Sequence, residues 1–214
     1  MTQRIGLYGG SFDPIHLGHL ISAQAIAEQL DLYRVILLPA AIPPHKQTVR
    51  LSAPEHRLAM LRLAIEDDPL FEVSEVELRR PGPSYTFDTV SHFRGQLGAD
   101  AALFWIIGAD SLPDLPGWYR IKDLVSVVSI VTACRPGASL PKLSDLASAV
   151  GDEHAAALLA QCLETPQIDI SATDIRCRVA AGRSVRYLVP DRVAAYLEMK
   201  GLYEDSSRSE PNQR

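Results

Sequence analysis

Three cysteines, Cys134, Cys162 and Cys177, are all that this chain of 214 residues contains. An odd number spread so widely excludes a disulfide framework, and each reads as a small core residue in a reducing compartment. No apolar run reaches the ~18 residues that suggest a membrane span. The opening Met1-Thr2-Gln3-Arg4 leads straight into a strand-like run, so no signal peptide is expected and the expected location is cytoplasmic. Positive charge is in deficit, with 21 Lys and Arg against 26 Asp and Glu and a net charge of −5. That balance argues against a nucleic-acid binder, which carries a basic patch or stripe. Also missing are a Cys-x-x-Cys pair, a His-Glu-x-x-His helix, the dinucleotide glycine fingerprint and a Walker-type Gly-Lys-Ser/Thr loop. Zinc sites, dehydrogenase-type cofactor binding and P-loop chemistry thus lose their usual signatures.

What is present suits one globular domain over residues 1–203: 47% of residues are hydrophobic and 22% charged, with no internal repeat or dividing linker. The chain is organised around residues 9–20, Gly-Gly-Ser-Phe-Asp-Pro-Ile-His-Leu-Gly-His-Leu. They follow the apolar run Ile5 to Tyr8, a buried strand, and precede the periodic segment Leu20 to Leu30, a helix. Gly9 and Gly10 allow a close backbone approach, Asp13-Pro14 turns the chain, and a helix opening near Gly18 offers unpaired N–H groups to an anion. His16 and His19, three apart, point into the same space and suit phosphate oxygens. Read bare, the pattern is also a tight turn with two surface histidines, and a zinc pair would need ligands the chain does not offer.

The remaining chain alternates strand and helix. Arg34 to Pro39 is a second buried strand, which makes strand, helix, strand a right-handed parallel crossover. Pro43-Pro44 stiffens a loop whose His45 and Lys46 suit either a phosphate or plain solvent. Ser52-Ala53-Pro54-Glu55 has the form of a capping box and opens a helix whose His56 reads as solvated. Phe71 to Leu78 alternates like a strand with its glutamates on a solvent face. Pro83-Ser84-Tyr85-Thr86 delivers another helix start, with Ser84 or Thr86 as cap and N–H groups suited to a carboxylate. Asp88 then complements the helix dipole. Leu103 to Ile107 is the strongest central strand, with Trp105 in its core. Gly108-Ala109-Asp110 ends it where open α/β sheets gather ligands, so Asp110 is placed to accept from a ribose hydroxyl.

Val125 to Thr132 reads as another buried strand, with Arg135 beyond it open to ligand or solvent. Leu140 to Ala149 and Asp152 to Leu163 read as helices and Gln167 to Ile170 as a strand. Ser171-Ala172-Thr173-Asp174-Ile175-Arg176 starts a helix that runs to Ala181 and stops at Gly182. This start either holds phosphate through hydroxyls, N–H groups and the Arg176 fork, or is simply capped. A last helix opens at Val189-Pro190-Asp191, and the polar tail 204–214 is expected to be disordered. Together these elements predict a doubly wound, Rossmann-like α/β fold. It has a mostly parallel sheet, helices on both faces and a small helical carboxyl portion closing over the strand ends.

Residues 9–19 resemble the nucleotidyltransferase signature of bacterial nicotinate-nucleotide adenylyltransferases. Their core, His-x-Gly-His, is shared with pantetheine-phosphate adenylyltransferases and cytidylyltransferases, so other stretches must choose. Pro-Pro-His-Lys resembles the loop after that family's second strand, and Pro-Ser-Tyr-Thr the stretch that holds the acidic group of the nicotinate ring. Gly-x-Asp followed by Trp118-Tyr119 resembles the family's pattern in which tryptophan stacks on the pyridine. Residues 170–176 resemble Ile-Ser-Ser-Thr-x-Ile-Arg, the ATP-phosphate motif, with Ala172 replacing the second serine and leaving only backbone donors there.

The resemblance implies transfer of AMP from ATP to nicotinate mononucleotide, giving deamido-NAD and pyrophosphate. It implies that His16, His19 and Arg176 act in catalysis, and that Gly9, Gly10, Ser11, Phe12, Gly18, Gly108, Ser171 and Thr173 complete the ATP site. Lys46, Ser84, Tyr85, Thr86, Asp110, Trp118 and Tyr119 are implied for the acceptor. Mg2+ arrives with ATP, held by phosphates and waters. The implied partners are these two nucleotides, not nucleic acid or membrane, and a homo-oligomer is compatible. Competing readings are another acceptor, nicotinamide mononucleotide or phosphopantetheine, and a nucleotide-binding regulator without turnover.

Overall fold

The computed structural model describes residues 3–44, 51–134 and 140–205. Six strands form one sheet: β1 Arg4–Gly10, β2 Arg34–Pro39, β3 Phe71–Val73, β4 Ala102–Gly108, β5 Ser129–Cys134 and β6 Cys162–Glu164. Their order is β3-β2-β1-β4-β5-β6, and every pairing is parallel. Strands covered on both faces read as continuous apolar runs, as Val35-Ile36-Leu37-Leu38 does. Alternate side chains then divide between two cores. Ile5, Leu7, Ile36, Leu38, Trp105 and Ile107 face α4 Thr86–Leu97, α5 Ile121–Val127, α6 Leu143–Val150 and α7 Asp152–Ala160. Val35, Leu37, Phe104, Ile106 and Val131 face α1 Leu17–Gln29, α2 Pro54–Ile65, α8 Ala172–Ala180 and α9 Asp191–Lys200.

From β1 the chain moves outward through α1 to β2, and from β4 it moves the opposite way through α5 to β5. The two directions part between β1 and β4, so their carboxyl ends frame a crevice suited to a ligand. Tyr8 pairs with Ile106 across that seam, and two residues further lie Gly10 and Gly108. Among the described residues no helix is long and apolar enough to cross a membrane.

Several local expectations are corrected. The strand expected over Phe71 to Leu78 stops at Val73, because it pairs with β2 over three residues only, and the chain turns into a short helix, α3 Val76–Arg79. Glu77 is consequently buried rather than on a solvent face. Ser52 does not cap α2; Ala53 stands at the N-cap without a side-chain hydrogen bond, with Pro54 in the first turn. Ser52 is engaged through its backbone instead, its N–H on Asp13 and its carbonyl under Arg57. Residues 125–127 finish α5, and the strand begins at Ser129. α7 ends at Ala160 so that 162–164 can pair with β5, and 167–170 form no strand. Ring nitrogen Nδ1 of His56 lies 2.9 Å from the Tyr196 hydroxyl, joining α2 to α9. All three cysteines are free thiols, but Cys177 is exposed rather than core.

Candidate active site at the carboxyl ends of β1 and β4

β1 hands the chain to the histidine turn at its tightest point. A Cβ on Gly9 would lie 2.6 Å from Trp105 Cζ2, so the indole of β4 fills that space. Phe12, at φ +46°, is buried with its ring edge-on to Tyr8 and His19, so its side chain shapes the turn from within. His16 stands at the N-cap of α1. Its backbone N–H donates to His19 Nδ1 at 3.3 Å, and the two imidazoles stack with centroids 3.6 Å apart. A backbone N–H only donates, so His19 Nδ1 is the acceptor and its ring proton sits on Nε2. Burial pushes His16 down to about 4, which keeps it neutral at pH 7. Its Nδ1 is buried without a hydrogen-bond partner. Leu17 N–H donates to Leu188 O at 3.0 Å, so that of the first-turn donors is already taken. Gly18 is held close, since a Cβ there would sit 3.1 Å from His16 Nδ1.

Asp13, buried in the same turn, joins four parts of the chain. Its carboxylate accepts from Ser52 N–H at 3.1 Å and from the Tyr203 hydroxyl, and its carbonyl accepts from Arg176 Nη1 at 2.7 Å. Arg57, 1% exposed, donates to Ser52 O at 3.1 Å and Ser11 O at 2.8 Å. Burial lowers its pKa while the charge of Asp13 opposes the fall. α8 is thereby brought beside the start of α1. Ser171 caps it as expected, accepting from Asp174 N–H at 3.1 Å and donating to Asp174 Oδ2 at 2.7 Å. Thr173 Oγ1 accepts from Arg176 Nη2 at 3.2 Å. With both hydroxyls so engaged, the groups best placed to meet an anion are the first N–H groups of α8 and the Arg176 fork.

A second set gathers nearby. Pro44, Ser84, Tyr85, Thr86, Gly117, Trp118 and Tyr119 line a cleft of about 270 Å³. The rings of Tyr85 and Tyr119 lie 4.5 Å apart, and the Arg120 guanidinium stands 3.9 Å over Phe87, joining the 115–120 loop to α4. Neither Ser84 nor Thr86 caps α4: Tyr85 occupies the N-cap, and no side chain caps it. Ser84 is buried because its hydroxyl oxygen accepts from Ala41 N–H at 2.9 Å and clips the loop after β2 to this wall. Asp110 follows β4 and is exposed, its carboxylate folded back over the space a Cβ on Gly108 would need. Burial and this carboxylate both raise the pKa of the neighbouring Tyr8. His45, Lys46 and Arg135 lie outside the described residues.

The model of the cytidylyltransferase-like family matches residues 7–178. A probable nicotinate-nucleotide adenylyltransferase of Roseiflexus sp. (strain RS-1) is 46% identical over 201 residues, 93% of this chain and 97% of the relative. One from Thermomicrobium roseum is 44% identical over 201 residues, 94% of this chain and 92% of the relative. The chain belongs to the nicotinate-nucleotide adenylyltransferases, within the cytidylyltransferase-like family. Solved structures agree on the fold. Plasmodium falciparum nicotinic acid mononucleotide adenylyltransferase complexed with NaAD superposes with a TM-score of 0.73 at 16% identity, covering 94% of this chain and 97% of that one.

In this adenylyltransferase the sequence singles out the two histidines, the α8 start and the cleft, but not Arg57, Tyr203, Thr89 or Glu77. Arg57 has one signal: with Met60 and Leu61 it sits at i, i+3 and i+4 on the buried stripe of α2. Tyr203 has none, since it lies just before a polar tail.

Proposed function

We propose that the protein transfers AMP from ATP to nicotinate mononucleotide, giving deamido-NAD and pyrophosphate. The acceptor's phosphate oxygen attacks the α-phosphorus of ATP, the bridging α–β oxygen bond breaks, and pyrophosphate leaves with that electron pair. The nucleophile is already anionic, so no general base is required. Positioning and charge neutralisation carry the reaction, and holding the reactants in line supplies roughly 7–11 kcal/mol.

The observation that carries this reading is the meeting of two helix starts, α1 and α8, through the 2.7 Å hydrogen bond from Arg176 to Asp13 O. His19 Nε2–H and His16 face the reacting phosphates, with His19 nearest the transition-state charge. Arg176 and the α8 start, with Ser171 and Thr173 shaping it, secure the pyrophosphate. Gly9, Gly10, Ser11, Phe12, Gly18 and Gly108 form the backbone surface on which ATP lies. Asp110 accepts from a ribose hydroxyl, Trp118 and Tyr119 bracket the pyridine, and Tyr85 and Thr86 donate to its carboxylate. An amide would turn an NH2 toward some of those donors. Lys46 neutralises phosphate from its loop. Mg2+ arrives with ATP, held mainly by its phosphates and by waters. The reading places the enzyme in the cytoplasm.

Pyrophosphate release from MgATP tests this, with nicotinate mononucleotide, nicotinamide mononucleotide and phosphopantetheine offered in parallel. Strong preference for the first is expected. Preference for another acceptor would overturn the roles of Tyr85, Thr86 and Trp118, and ATP binding without turnover would make the protein a regulator.

A further inference from the structure

Glu77 has no part in this mechanism, yet it is 3% exposed. A buried carboxylate is costly unless it is hydrogen-bonded and paired, so its partners are informative. Thr89 Oγ1 donates to Glu77 Oε1 at 2.7 Å, and Arg80 Nη2 donates to Thr89 Oγ1 at 2.9 Å. The same Nη2 lies 3.4 Å from Tyr85 O, the carbonyl that also receives Thr89 N–H at 3.2 Å. A hydroxyl has one proton, and the 2.7 Å contact with Glu77 takes it in preference to the 3.3 Å contact with Tyr85 O. The Thr89 oxygen is thereby left free to accept from Arg80. Glu77 therefore sets the direction of a chain of hydrogen bonds that ends on the carbonyl at the N-cap of α4. The peptide after that carbonyl carries Thr86 N–H, and Tyr85 and Thr86 both line the cleft. Thr89 itself is fully buried, so the chain is shielded from competing water.

We propose that Glu77, Thr89 and Arg80 are positioning residues that hold the first turn of α4 in register to read the carboxylate of the pyridine nucleotide. The proposal rests on the acceptor reading above and assigns these residues no contact with substrate. A displacement of the turn by about 1 Å is enough to spoil paired hydrogen bonds while leaving the phosphate site untouched. Arg80 is only partly buried, so its removal opens no core cavity.

Steady-state kinetics of Thr89→Val, Thr89→Ser and Arg80→Ala test the proposal. In Thr89→Val and Arg80→Ala, KM for nicotinate mononucleotide rises about tenfold while kcat and KM for ATP stay within about twofold. The preference for nicotinate over nicotinamide mononucleotide falls by a similar factor. Thr89→Ser, which keeps the hydroxyl, restores both values. If Thr89→Val fails to fold, Arg80→Ala decides. An unchanged KM for nicotinate mononucleotide in Arg80→Ala, or equal losses toward ATP and acceptor, overturns the brace. A wild-type enzyme with no nicotinate preference overturns the acceptor reading itself, which separates the two failures.

Discussion

The imidazoles of His16 and His19 stack at 3.6 Å between centroids, and the backbone N–H of the first donates to the ring of the second. Two cations do not stack so closely in a buried turn, and the hydrogen bond requires an unprotonated Nδ1 on His19. Burial likewise keeps His16 neutral at pH 7. His16, held near 4 by burial against about 6.5 when unfolded, makes stability depend on pH. Between those values the unfolded chain binds more protons, so stability is present above about pH 6.5 and is lost as pH falls toward about 4. Urea unfolding across that window, compared between wild type and His16→Asn, reads the contribution as about 3 kcal/mol lost by the wild type alone. Identical slopes would show that His16 ionises freely.

In the proposed mechanism, His19→Ala removes the Nε2–H donor nearest the developing charge. It lowers kcat by about 10²–10³-fold, the usual cost of one such donor. Near-normal turnover in folded variant protein would displace His19 from the reaction.

Gly108→Ala places a methyl group where the Asp110 carboxylate lies. The obstructed atom is the end of a flexible, exposed side chain, so the fold is spared and the carboxylate swings out. If Asp110 accepts from a ribose hydroxyl as proposed, nucleotide KM rises by about tenfold, and Asp110→Asn, which keeps an acceptor but loses the charge, raises it as well. If Gly108→Ala binds nucleotide normally while Asp110→Asn does not, the carboxylate acts from another position.

Arg57→Met and Tyr203→Phe test the support beneath the histidine turn. Arg57→Met leaves the Ser11 and Ser52 carbonyls without their buried donor and costs about 1–3 kcal/mol, whereas Tyr203→Phe removes one hydrogen bond to the Asp13 carboxylate and costs about 1.5–3 kcal/mol. Chemical denaturation measures both, and an Arg57→Met variant as stable as wild type would mean that the guanidinium does not support the turn.

In the proposed acceptor site, Trp118→Ala removes the ring that stacks on the pyridine. Offset stacking of about 0.5–1.5 kcal/mol predicts a rise of about two- to tenfold in KM for the pyridine nucleotide, with KM for ATP unmoved. Unchanged acceptor kinetics would take Trp118 out of the site.

Much of this was readable from sequence because the signals were local. A strand, a turn and a helix start follow one another within residues 5–20, and the cap of α8 lies within four residues, as Ser171 and Asp174 show. Legibility stopped where partners came from far along the chain. Asp13 meets Tyr203 across 190 positions and Arg176 across 163, and no window of sequence contains both ends. Glu77 was misread for a related reason: alternation along Phe71 to Leu78 fits an exposed strand face, but a distant threonine takes the carboxylate inward. Ser52 and Ser84 matched capping patterns, yet the backbone of one and the hydroxyl of the other serve contacts some forty residues distant.

Gly9 and Trp105 share a single parcel of space, the indole of β4 occupying what a side chain on β1 would need. Neither position is then free to drift alone. A larger residue at 9 is tolerable only once 105 has shrunk, and a smaller residue at 105 leaves a void until 9 has grown. In any lineage that keeps this fold the two positions should change together or not at all. That coupling would hold the floor of the nucleotide crevice in place while the loops around it diversify.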